Sequence, residues 1–120
     1  MGLVHVTVTL RPIHENGTPY SADFLVDTGA TDSLVPAAAL RRAGIEPVGK
    51  MAYEPADGVR REYSVGLARI EFMGEITAGR AIFGPDDAEP ILGVTALESV
   101  GITIDPASQT LKRLPAISLK

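Results

Sequence analysis

Phe24-Leu25-Val26-Asp27-Thr28-Gly29-Ala30 is an apolar run that ends on one carboxylate and turns at once through a glycine. The pattern presents an acid from the end of a buried strand. The glycine lets the backbone turn tightly and approach a ligand or a second chain where a Cβ would obstruct it. Asp27 is therefore the first candidate for acid–base chemistry. Other chemistry-bearing side chains are weaker candidates. His5 and His14 lack a metal-ligand spacing, and His5 falls on the polar side of its strand. Asp86, Asp87 and Glu89 lack the fixed alternation and closing Glu of a calcium loop and read as a solvated loop. Ser33 has no Gly-x-Ser-x-Gly context, and neither His stands in a motif that would activate it. The chain has no Cys, which excludes a thiol nucleophile, a disulfide framework and a Cys-ligated zinc site. Gly-rich phosphate loops are absent, and no metal or organic cofactor is expected.

Further along stands Ile91-Leu92-Gly93, about sixty-odd residues after Asp27. Together the two segments make the chain resemble the retropepsin-like aspartic proteases, whose hallmark is Asp-Thr/Ser-Gly followed later by two apolar residues and Gly. The resemblance runs from residue 7 to about residue 114. It implies an all-β acid-protease fold, a partly closed barrel with one or two short helices. It also implies an aspartic endopeptidase that uses water as nucleophile on a protein or peptide substrate. By the same resemblance the Thr28 hydroxyl bonds across a two-fold axis to the partner's backbone. Gly29 brings its backbone next to the substrate with its N–H close to the carboxylate, and Ala30 completes the loop. Ile91, Leu92 and Gly93, with the helix after them, are structural supports beneath the acid. A hairpin tip at Asp57 and Gly58 matches the family's flap, a lid that closes on an extended peptide and holds it as an added strand. Tyr53, Val59 and Tyr63 either line subsites there or simply pack the hairpin.

Hydrolysis of a peptide by carboxylates needs one acid protonated and one ionised, so that a water held between them is deprotonated while the carbonyl receives a proton. Two carboxyls about 3 Å apart cannot both ionise, which maintains that state, as the aspartic proteases illustrate as a class. A lone Asp27 cannot meet this requirement. The chain has no second Asp-Thr-Gly or Asp-Ser-Gly, and it is too short for a two-lobed pepsin architecture. A homodimer in which each Asp27 meets its own copy across a two-fold axis resolves the difficulty, and the monomer is then inactive. One rival is a catalytically silent retropepsin-like dimerisation or peptide-binding module, against which the intact Asp-Thr-Gly argues. Another is a monomeric barrel in which Asp27 merely caps a turn.

Two positions depart from the viral pattern. Many retroviral members carry an Asp directly after the Ala, ion-paired with an Arg directly after the late Gly; this chain has Thr31 and Val94. Losing both partners together strands no charge. Asp32 remains, and either faces the cleft or caps the turn. The apolar end at 115–119 pairs either with a partner's end or within its own chain.

The elements that position these residues follow from local patterns. Val4, Val6, Val8 and Leu10 alternate with polar residues up to Pro12, a half-buried strand, and Asn16-Gly17 supplies a tight turn into a second strand over 20–27. The spacing predicts a short helix over 36–43 with Gly44 as its C-terminal cap, a long hairpin over 48–72 with its tip at 55–58, and a strand over 76–83. A second short helix spans 94–100, and a last hairpin runs from Ile102 to Leu114. At 120 residues the chain reads as a single domain over 1–120. Its net charge of −4 with dispersed Lys and Arg argues against nucleic acid as a partner. No apolar run approaches the length of a membrane span, and with no leader pattern at the N-terminus the expected location is cytoplasmic.

Overall fold

Alternating apolar residues build the first hairpin. A computed structural model of the chain describes residues 3–14 and 17–119. In it β1 (His5–Pro12) buries Val8 and Leu10 and pairs antiparallel with β2 (Tyr20–Asp27), which buries Phe24 and Val26. Asn16, expected in the turn between them, and the N-terminal Met1 and Gly2 lie outside the described residues. The chain then forms β3 (Ser33–Pro36), α1 (Ala37–Arg42), β4 (Gly49–Tyr53), β5 (Arg61–Phe72), β6 (Glu75–Gly84), β7 (Ile91–Gly93), α2 (Val94–Ser99), β8 (Ile102–Asp105) and β9 (Thr110–Arg113). Both predicted helices are present, each shorter by a residue at one end or both, as fraying ends usually are.

The strands follow the order β1-β2-β7-β3-β6-β5, and β5 pairs again with β1, so six strands close into a barrel. Closure goes further than the partly closed barrel expected. It depends on Thr9–Pro12 of β1 meeting Ala68–Glu71 of β5, a contact between segments far apart in sequence. β5 is long enough for two tasks. Val65–Phe72 pairs with β6 in the barrel, while Arg61–Ser64 runs beyond it, and Arg61–Val65 pairs with β4. The predicted hairpin is thus a projection from the barrel, with Pro55-Ala56-Asp57-Gly58 at its tip. Tight turning there rests on Gly58, whose N–H donates to the Pro55 carbonyl at 2.9 Å with φ of +77°.

The barrel is filled by Val8, Leu10, Phe24, Val35, Ile70 and Leu92, with Leu40 of α1 and Leu97 of α2 sealing it from outside the sheet. The acidic loop at 86–89 is more than a solvated stretch. Asp86 accepts the Ala38 N–H at 3.1 Å and so caps α1 from a distance, and Glu89 lies 3.0 Å from the His5 ring. The C-terminal residues 115–119 form no strand, and Ile117 packs over Gly101 while remaining largely exposed. Among the described residues no helix is long and apolar enough to cross a membrane.

Candidate active site

Asp27 is the last residue of β2, and the parallel pairing of β2 with β7 sets it level with Gly93. The chain turns immediately afterwards, the Ala30 N–H donating to the Asp27 carbonyl at 3.1 Å. Within that turn the Gly29 N–H donates to Asp27 Oδ1 at 2.9 Å. A Cβ on Gly29 would sit 3.2 Å from the same oxygen, so a side chain would crowd the carboxylate. Asp27 is half-buried, whereas Thr28 and Gly29 are exposed. The loop therefore offers the acid at the surface while a backbone N–H fixes its direction.

The next residues are clamped from below. Val94 donates its N–H to the Ala30 carbonyl at 2.8 Å, and Thr95 donates to the Thr31 carbonyl at 3.2 Å. Two otherwise unpaired N–H groups at the start of α2 are thereby satisfied by the loop itself. At Thr31 and Val94, where the viral resemblance would place an ion pair, backbone bonds join the same two segments. Gly93 is buried at the crossing. A Cβ there would lie 2.6 Å from the Asp32 carbonyl carbon and 2.7 Å from the carbonyl oxygens of Thr31 and Asp32. Its N–H donates to Ser33 Oγ at 3.0 Å, and Ser33 is 2% exposed, which makes this hydroxyl a structural acceptor. Leu92 lies in the core, and Ile91 pairs with both Leu25 and Leu34.

Asp32 neither faces the cleft nor caps the turn. Its side chain is only 5% exposed, and its Oδ2 accepts the Tyr53 hydroxyl at 2.7 Å and Arg80 Nε at 3.0 Å. A buried carboxylate is tolerated when it is both paired and hydrogen-bonded. The triad joins three elements: the loop carrying Asp27, the barrel strand β6 and the last residue of β4. Tyr53 also meets the Tyr63 ring, with centroids 6.2 Å apart, so both rings pack the hairpin across its two strands.

Burial first, then the hydrogen bond to Asp32 and its negative charge, push the Tyr53 hydroxyl from 10.0 up to about 12, with Arg80 opposing. Because the folded value lies above the unfolded one, Tyr53 contributes stability that is complete below pH 10 and is lost as pH rises through about 12. An ultraviolet titration is expected to show one tyrosine that stays protonated until about pH 12. In Tyr53→Phe that late step is absent.

At the hairpin tip, Asp57 Oδ1 accepts the Val59 N–H at 2.9 Å, and Oδ2 lies 2.7 Å from Arg61. Arg61, and after it the Val59 N–H, hold this carboxyl below its ordinary range. Asp57 thus shapes the tip with its own neighbours, and Gly58 supplies the positive φ. The hairpin meets the Asp27 loop at its base, through Tyr53. Beside the loop on another side is a hollow of about 290 Å³ whose lining includes Thr28, Val94, Glu98 and Leu114.

The family described as "gag-polyprotein putative aspartyl protease" matches residues 12–99. The fold is similar to that of the EIAV protease in complex with an inhibitor, at 22% identity and a TM-score of 0.62, covering 83% of this chain and 89% of that one. It is also similar to the retroviral protease-like domain of Ddi1 from Leishmania major, at 18% identity and a TM-score of 0.59, covering 97% and 91%. A retropepsin-like aspartic protease from Rickettsia conorii aligns at 20% identity with a TM-score of 0.51, covering 87% and 85%. No curated protein sequence matches the chain significantly.

Proposed function

The chain belongs to the gag-polyprotein aspartyl protease family, and we propose that it acts as a homodimeric aspartic endopeptidase in which the Asp27 carboxylates of two copies share one proton. The ionised copy takes a proton from a water as that water's oxygen bonds to the scissile carbonyl carbon, and the protonated copy gives its proton to the carbonyl oxygen. The copy that received the water's proton then gives it to the amide nitrogen, the C–N bond breaks, and the other copy takes a proton from one hydroxyl of the tetrahedral intermediate as that oxygen becomes the carbonyl of the product acid, so the pair again holds one shared proton. The observation that carries this reading is the Asp27 loop: a half-buried acid aimed by the Gly29 N–H, carried on a turn braced by α2. Such fixed geometry is what positioned acid–base catalysis requires.

Dimerisation is supported by the chemistry, since one carboxylate cannot hold both protonation states, and by the apolar surface beside the exposed Thr28. Leu114, on the wall of the hollow there, is 47% exposed, and Ile117 and Leu119 nearby in sequence are 57% and 100% exposed. A second copy would cover surface of this kind. Peptides are bound extended, with the β4–β5 hairpin as the element that closes on them.

Digestion of a peptide library at several pH values, repeated over a range of chain concentrations, tests both parts. Cleavage is expected at acidic to mildly acidic pH with a bell-shaped profile belonging to the pair. Activity per chain is expected to rise with concentration and then level off. Peptides retained without cleavage at any concentration would favour a silent binding module, and activity per chain independent of concentration down to high dilution would overturn the dimeric site.

A further inference from the structure

Tyr53 occupies a junction that neither the acid nor the hairpin tip explains. It is the last residue of β4, at the point where pairing with β5 ends (Tyr53↔Arg61), and the seven positions 54–60 beyond it belong to no strand. Its hydroxyl reaches Asp32, five positions after Asp27 in the same loop, at 2.7 Å. Asp32 is held in turn by Arg80, whose strand is locked into the barrel by its pairing with Leu67.

From this convergence we infer that Tyr53 is a positioning residue: its bond to the Asp32–Arg80 pair pins the base of the hairpin to the loop bearing Asp27, so that closure on a peptide is confined to the tip at 54–60. The substrate-binding part of the inference rests on the endopeptidase reading above. A pin fits the geometry better than a latch that opens in each cycle. Asp32 is buried, and releasing the hydroxyl would take a charge-assisted donor from a carboxylate that water reaches poorly. The triad is also balanced in charge, one carboxylate against one guanidinium, so its rupture brings no electrostatic relief. Tyr53 stays a donor throughout neutral pH, its ionisation being pushed to about 12. The tip, in contrast, is held by local bonds among exposed residues, Asp57 with Val59 and Arg61, and these can move as a unit. A hairpin fixed at its base and free at its end sets the height at which a peptide strand lies above the acids.

Tyr53→Phe keeps the ring and its contact with Tyr63 and removes only the hydroxyl, so folding is preserved. Amide hydrogen exchange of the free protein is the first measurement. Exchange in Gly49–Tyr53 is expected to speed up about tenfold or more while amides of β1 and α1 keep their wild-type rates. Unchanged exchange in β4 would overturn the pin, whether or not the protein cleaves anything. Steady-state kinetics on a peptide long enough to pass beneath the hairpin is the second. KM is expected to rise about fivefold or more with kcat within about twofold of wild type, since peptide binding loosens and the chemistry of Asp27 does not. A fall in kcat with KM unchanged would overturn the positioning role. If no peptide is cleaved by the wild type, the endopeptidase reading fails, and the exchange experiment still decides the pin.

Discussion

Replacing Asp27 by Asn is expected to reduce kcat/KM for peptide cleavage by about 10³-fold or more, because the variant can neither release nor accept the proton that the pair must share. Asn has nearly the same size and keeps a carbonyl oxygen at the position that receives the Gly29 N–H, at 2.9 Å in the wild type. The loop should therefore survive, and thermal unfolding should change little. Loss of activity at unchanged stability would identify a chemical role rather than a structural one. Mixing supplies a sharper result. When equal amounts of wild type and Asp27→Asn chains exchange partners, about a quarter of the dimers retain both acids, so activity from a fixed amount of wild type falls to about half. A monomeric active site would ignore the added variant. Full activity in the variant alone would trace cleavage to another site or to a contaminant.

Asp27 was legible because its signal is local. An apolar strand, one acid and a glycine lie within seven consecutive residues, and strand alternation in β1 and β2 needs no knowledge of distant partners. The hairpin and both short helices were readable for the same reason. β3 and β7 were not, being 4 and 3 residues long, below the length at which a period can be recognised. Yet these two strands join the halves of the barrel and set Gly93 beside Asp27. The pairings that make them strands are parallel ones to β6 and β2, between segments far apart in sequence, and they leave no mark on the residues between.

Asp32 shows the same limit at the level of a side chain. Thr31-Asp32-Ser33 looks like a surface turn, yet Asp32 and Ser33 are both buried. What makes the burial tolerable lies 21 and 48 residues away, in Tyr53 and Arg80, and no spacing rule connects the three. At the hairpin tip, the Asp57 carboxylate is likewise engaged by groups the tip position alone does not name, the Val59 N–H and Arg61. In both cases the sequence locates the element correctly while the partner of the carboxylate comes from tertiary packing or from the exact turn adopted.

Gly93→Ala is expected to be the most damaging single-methyl addition near the site, destabilising the fold by about 3 kcal/mol or more, an overpacking cost at the upper end of its usual range. The new Cβ would fall 2.6 to 2.7 Å from the Asp32 carbonyl carbon and from the Thr31 and Asp32 carbonyl oxygens. These are backbone atoms with no rotamer to yield. Relief would require β7 and the loop to separate, which stretches the Gly93 bond to Ser33 and the Val94 and Thr95 bonds to Ala30 and Thr31. The same displacement lifts the turn that holds Asp27. Stability and activity should therefore fall together, with a drop in melting temperature of about 10 °C or more for a domain of this size. Gly58→Ala is the informative contrast: a Cβ there meets nothing within 4 Å, and only its φ of +77° is strained. That cost is about 1 kcal/mol and is confined to the tip. A Gly93→Ala protein that melted within a few degrees of wild type would mean that β7 and the Asp27 loop are not packed against each other as closely as the bracing of the acid requires.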